Sequence, residues 1–165
     1  MCYASTLWVK VMVFPQQKFR EILFQLLFSV DFSLDVEEES VEFFMKEFLI
    51  TKKVVRAVLE KGKQIQKFLP DIDALITRFS KEYEFDRIAK VEKNILRLGV
   101  FELCFTDEVP PKVAIAEAIR ITRKFATKES ASFVNAVLDA LYQSRLNRDS
   151  CNKEEHDQLL SLSTE

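Results

Sequence analysis

An all-α fold, a compact bundle of about seven helices, follows from three features of the sequence. Glycine and proline are scarce, 2 and 4 in 165 residues, which leaves few sites for the tight turns that join short strands. Apolar residues recur at three- and four-residue spacing through most of the chain, the period of one helix face. A composition that is 48% apolar, with 15 phenylalanines, supplies the side chains for one sizeable core.

The elements follow in order. Pro15 suits a first helical turn, where its missing N–H is not needed, and Phe19, Ile22, Leu23, Leu26, Leu27 and Val30 form a stripe behind it. This predicts a helix from Gln16 to about Phe32, broken at Ser33 to Asp35. Val41, Phe44, Met45 and Phe48 mark a short second helix with an acidic outer face. Thr51 is placed to cap a third, whose stripe is Val54, Val55, Val58, Leu59, Ile65 and Leu69 and which Pro70 ends. Gly62 inside it costs about 1 kcal/mol against alanine and permits a kink. Asp71 can cap a brief fourth helix through Ile72, Leu75, Ile76 and Phe79.

From Asp86 onward, Ile88, Val91, Ile95, Leu96, Leu98, Val100, Phe101, Leu103 and Cys104 leave a helix apolar on most sides, as expected at the centre of a bundle. Pro110 and Pro111 separate it from a sixth helix striped by Ile115, Ala118, Ile119, Thr122 and Phe125. Ser130 can cap the last, with Phe133, Val134, Val137, Leu138 and Leu141 inward. The organisation expected is an N-terminal extension over 1–14, one helical domain over 15–146 with subdomains of about 15–70 and 71–146, and a disordered tail over 147–165. Met12 is a candidate alternative start.

Composition excludes more chemistry than it suggests. The sole histidine, His156, falls in the expected tail, so a serine or cysteine nucleophile lacks a base. Gly62 and Gly99 are too far apart for a phosphate-binding loop. Cys2, Cys104 and Cys151 form no paired motif, which argues against a disulfide framework or a metal site and fits a reducing cytoplasm. No catalytic residue, metal or cofactor is expected. Nor is a signal peptide or a membrane span.

Binding features are better represented. The net charge is −2, but the charges are segregated. An acidic block, Asp31, Asp35, Glu37, Glu38, Glu39, Glu42 and Glu47, precedes the basic Lys52, Lys53, Arg56, Lys61, Lys63 and Lys67. A second basic group gathers Lys112, Arg120, Arg123, Lys124 and Lys128. Such asymmetry permits an anionic partner, although solvated helix faces explain it equally well. The first helix opens with Lys18 and Arg20. The start of the last helix offers backbone N–H groups, Ser130, Ser132 and Lys128, a setting suited to a phosphate. Phe133, within one turn, either stacks on an unpaired base or fills the core, the commoner fate of phenylalanine.

Three stretches carry a family resemblance. Asp86 to Leu103 (DRIAKVEKNILRLGVFEL) resembles the central helix of NusB proteins. Asp107 to Ile119 resembles the helix after it, and Ser130 to Asp139 (SASFVNAVLD) the closing helix. Arg20, Glu21 and Phe28 match the first helix of that family, so the similarity is ordered and strong over about Asp86–Leu141 and weaker over Gln16–Phe79. The resemblance implies a non-catalytic transcription antitermination factor. It would bind single-stranded boxA RNA of nascent, chiefly ribosomal, transcripts together with the small-subunit ribosomal protein NusE, within the antitermination complex on RNA polymerase. By position it implies Lys18, Arg20, Lys112, Lys128, Glu129, Phe133 and Asn135 on the RNA side, and Phe28 and Glu92 on the NusE side. Some relatives self-associate, so a homodimer is allowed.

Departures from the family pattern matter. Gln16 and Gln17 stand where arginines are usual, Ser132 where a lysine is common, and Ala116 where an asparagine is common. Each lost cation weakens binding and flattens its salt dependence, so low RNA affinity without NusE is expected. Two other readings remain at this stage. One is a helical adaptor that binds protein and no RNA. The other is an accessory module related to that of ribosomal RNA methyltransferases.

Overall fold

The computed structural model describes residues 14–29, 38–81 and 83–162, of which 38–40 and 148–162 are described by backbone alone. Seven α-helices and one 3-10 turn make up the fold, with no strand among the described residues. The helices are α1 (Gln16–Ser29), α2 (Glu38–Phe48), α3 (Lys52–Lys67), α4 (Leu69–Phe79), α5 (Lys90–Cys104), α6 (Pro111–Phe125) and α7 (Lys128–Leu162), and the turn is Phe85–Arg87. The all-α expectation holds. The break expected at Ser33 to Asp35 and the first half of the acidic block lie outside the described residues, as does 1–13.

Helix α5 is the axis of the bundle. Nine of its 15 residues are buried, from Asn94 to Leu103, and it packs against α1, α3, α4, α6 and α7. Its greasy circumference thus finds a neighbour on every side, as the sequence implied. Helices α1, α2 and α3 pack among themselves, while α4 leans on α5 and α7, and α6 and α7 form a long antiparallel pair. Ile65, Ile72, Ile76, Ile95, Leu96, Val100, Ile121, Val134 and Leu138 are fully enclosed in one continuous core. Close approach of three helices depends on Gly99: a Cβ there would lie 3.0 Å from Leu138 Cδ1 and 3.4 Å from Ala118 Cβ.

Charged groups tie the helices laterally. The Arg97 guanidinium donates two bonds, of 2.8 and 2.7 Å, to the Asp73 carboxylate and so clamps α5 to α4. Between α1, α5 and α6 runs a longer network. Arg20 Nε donates to Glu102 Oε1 at 2.7 Å, Arg120 donates to Glu21 and Glu117, and Lys124 donates to Glu21 at 2.6 Å.

Element boundaries differ from expectation at two junctions, each for a local reason. Helix α3 stops at Lys67, ahead of Pro70, because Pro70 opens the first turn of α4; Phe68, not Asp71, is the cap position there. Thr51 occupies its predicted cap position, but its hydroxyl makes no capping bond. The last helix begins three residues earlier than a Ser130 cap implies, with Thr127 Oγ1 accepting the Ser130 N–H at 3.2 Å, so Thr127 is the cap and Ser130 the third residue of the helix. Helix α7 is described as far as Leu162, by its backbone alone from residue 148 on.

Candidate nucleic-acid interface

At one end of the bundle an open cleft of about 300 Å³ lies between the start of α5 and the start of α7. Ile88, Ala89 and Glu92 form one wall, Thr127, Glu129, Ser130 and Phe133 the other, with Tyr83 and Arg87 at the loop side. Phe133 is half-buried, its ring 5.2 Å from that of Tyr83 in an edge-to-face arrangement. Tyr83 itself is 55% exposed. An aromatic pair held edge to face at a cleft mouth leaves one ring face available for stacking. Phe133 is therefore neither a pure core residue nor a free one.

The front of α7 is less suited to a phosphate than the sequence implied. Thr127 already accepts the Ser130 N–H, and the Glu129 carboxylate is held below its ordinary range by its own backbone N–H and by the Thr127 hydroxyl. Two of the leading N–H groups thus have internal partners, and an anion stands beside them. Glu92 adds a second carboxylate to the opposite wall. The cleft is built for an aromatic or hydrogen-bonding face rather than for a bare anion.

Arg87 is the cation in the cleft lining, and the lysines lie outside it. Lys128 is exposed as the first residue of α7, and Arg87 is exposed beside Glu84, its 3.2 Å partner. Lys18 is exposed on α1, one turn before Glu21, whose carboxylate binds Lys124 near the end of α6. Phe24 and Phe125, 5.0 Å apart, continue the α1–α6 seam, and Lys128 follows three residues beyond Phe125. Lys18, Lys124 and Lys128 are thus exposed cations on α1, α6 and α7, with Lys124 paired to Glu21.

Other residues assigned by resemblance fall elsewhere. The Arg20 side chain is 9% exposed and paired with Glu102, with Glu117 at 3.9 Å, so in this structure it faces inward and braces the bundle. Lys112 is exposed, but at the N-terminal end of α6, roughly 20 Å along the helix axis from the cleft end. Asn135 is exposed two positions after Phe133, hence turned well away from the cleft, on the outer face with Lys128 and Ser132. Phe28, 37% exposed, sits at the cleft end of α1 with the Lys90 ammonium 5.1 Å from its ring centroid. Phe28 and Glu92 thus share the end of the molecule that carries the cleft.

Sequence reasoning missed Tyr83, Arg87 and Lys90 as residues at this end. A tyrosine in a short charged segment between two helices was the available signal for the first.

A model of the NusB family matches residues 17–143, which takes in the cleft and every helix that forms it. The chain belongs to the NusB family. The transcription antitermination protein NusB of Chlamydia pneumoniae is 36% identical over 138 residues, covering 83% of this chain and 86% of that protein. Among solved structures, T. maritima NusB aligns with a TM-score of 0.65 at 31% identity, over 79% of this chain and 92% of that one. A crystal structure of the antitermination factors NusB and NusE in complex with dsRNA aligns equally, with a TM-score of 0.65 at 27% identity, over 78% of this chain and 96% of that one. The family is one of transcription antitermination proteins, and this NusB chain shares their all-helical fold. Among its described residues no helix is long and apolar enough to cross a membrane.

Proposed function

We propose that this NusB protein is a non-catalytic cytoplasmic antitermination factor that binds boxA RNA of nascent ribosomal transcripts jointly with NusE, as part of the complex that RNA polymerase carries through terminators. Kinship with NusB proteins supports the general role, and the solved NusB–NusE–RNA assembly supports the choice of partners. The observation that carries RNA contact is the Phe133–Tyr83 pair at the cleft mouth, and Lys18, Lys124 and Lys128 are exposed cations on α1, α6 and α7. An unpaired base stacks on the aromatic face, and the lysines meet the backbone phosphates of the flanking nucleotides. Glu92 and Phe28, at the same end, are offered to NusE. A basic ribosomal protein meeting Glu92 fits charge complementarity.

The inward Arg20, with Gln16 and Gln17 at the exposed tip of α1, leaves Lys18 as the cation there and supports weak binding by the chain alone. NusE would then supply much of the affinity. The test is an electrophoretic shift of boxA RNA by this protein, by NusE and by both, against scrambled and double-stranded controls. The proposal expects a boxA-selective shift with both proteins and little with either alone. Tight binding by the isolated chain would overturn the division of labour. A second reading, a protein-docking adaptor without RNA contact, is favoured by the two carboxylates in the cleft, and no shift of boxA with both proteins present would select it.

A further inference from the structure

A second cavity lies at the other end of α5. It is an open groove of about 560 Å³, lined by Lys61, Gln64, Phe68, Phe101, Phe105 and the loop Thr106–Glu108. Phe101 lies nine residues beyond Glu92 on α5, so the groove is roughly 14 Å along the axis from the cleft. Its floor is aromatic. Phe68 and Phe105 have ring centroids 4.9 Å apart, and Phe101 stacks nearly parallel to Phe105 at 6.4 Å. Phe68 is 38% exposed, unusual for a phenylalanine joining two helices.

The groove already holds one cation, in a defined manner. Lys61 is 8% exposed, and its ammonium lies 5.3 Å from the Phe101 ring centroid and 2.8 Å from Glu108 Oε2. An aromatic face below and a carboxylate beside is the geometry by which proteins bind ammonium and guanidinium groups. Beyond Lys61 the same elements recur unfilled. Phe68 and Phe105 offer a second aromatic surface, Asp107 an exposed carboxylate to which no described cation is paired, and Gln64 an amide oxygen. With Asp107 and Glu108 at the rim against Lys61 alone, the lining is net negative, which disfavours a phosphate-bearing occupant.

We propose that this groove is a docking site for a protein partner, and that it accepts an arginine side chain whose guanidinium lies on Phe68 and Phe105 and donates to Asp107. Arginine suits it better than lysine, because a planar guanidinium stacks on a ring while its edge bonds a carboxylate. Placed at the far end of α5, the site engages this partner while the cleft is occupied, and it stands independently of the RNA-binding reading.

Backbone-amide NMR of the full chain, titrated with N-acetyl-arginine methylamide and with its neutral isostere N-acetyl-citrulline methylamide, tests the proposal. Saturable shifts at Phe105, Thr106, Asp107 and Glu108 with the arginine compound, at least fivefold weaker with citrulline, are the expected result. Asp107→Asn, an exposed and fold-neutral change, should weaken arginine binding severalfold, and Asp107→Lys should abolish it. Both variants should retain wild-type boxA binding with NusE, whatever that binding is. Equal shifts with both compounds, shifts unaltered by Asp107→Lys, or concentration-dependent self-association as the sole change at the groove would each overturn it.

Discussion

Glu21 and Glu102 face one cationic network from two sides, and burial acts on them with opposite net results. Burial pushes the Glu21 carboxyl up, but the bonds from Lys124 and Arg120 outweigh it and hold the group below its ordinary value of 4.5. Burial dominates at Glu102, which stays raised above 4.5 although Arg20 bonds it and Lys61 is near. The linkage signs follow. The stabilisation from Glu21 is present above 4.5 and is lost as the pH falls through its lowered value. Glu102 contributes in the opposite sense: the folded state loses stability as the pH rises from 4.5 through the raised value. Glu21→Gln should therefore cost roughly 2 kcal/mol at neutral pH, discounted for the exposure of Lys124, and the gap to wild type should narrow below pH 4.5. For Glu102→Gln the wild-type protein should lose ground as the pH climbs above 4.5. Urea unfolding across pH 3 to 8 checks both, and gaps moving in the same direction would contradict the assignment. At Gly99 the constraint is steric. Leu138, fully buried, cannot retreat from a Cβ 3.0 Å away, so Gly99→Ala should destabilise by about 1 kcal/mol even though alanine favours the helix by a similar amount.

At the scale of elements, apolar periodicity was largely legible: most of the stripe residues of α3, α5 and α7 are buried, while Leu69, Val91, Cys104 and Phe133 are only partly so. Terminal chemistry was less so. Pro70 reads equally as the end of one helix or the first turn of the next, and Thr127 and Ser130 are both acceptable caps until a bond distance distinguishes them. The inward turn of Arg20 was not legible, because a cation on an amphipathic helix is normally outward and the carboxylates of α5 and α6 that draw it in lie some 80 and more residues away. The cleft was half legible. Phe133 and Glu129 could be placed at the start of a helix, but Tyr83 meets Phe133 through tertiary packing that no local pattern encodes. One strained residue closes an element. Leu49 adopts φ 52° after α2, with the Ile50 N–H returning to the Met45 carbonyl at 3.3 Å, the helix-terminating arrangement that glycine favours. Leu49 is 91% exposed and contributes nothing to the core. Leu49→Gly should stabilise by about 1 kcal/mol, a rise in melting temperature of about 2–4 °C, and a fall would contradict the strain argument.

On the scale of the whole molecule, α5 separates two ends with different chemistry. One end carries the aromatic cleft, the other a groove of phenylalanines and acids. If the exposed lysines meet RNA phosphates, Lys18→Gln and Lys128→Gln should each weaken boxA binding and reduce the salt slope by roughly 0.7 to 1. Lys112→Gln, at the far end of α6, should leave the slope unchanged. The most direct measurement of the central claim is boxA affinity, with NusE present, of Phe133→Leu against wild type. Leucine keeps the apolar contact with the helix neighbours but removes the ring. Loss of stacking worth about 1–3 kcal/mol predicts a 5- to 150-fold weaker complex with an unchanged salt slope and unchanged thermal stability to within a few degrees. Wild-type affinity in that variant would contradict base contact at the cleft.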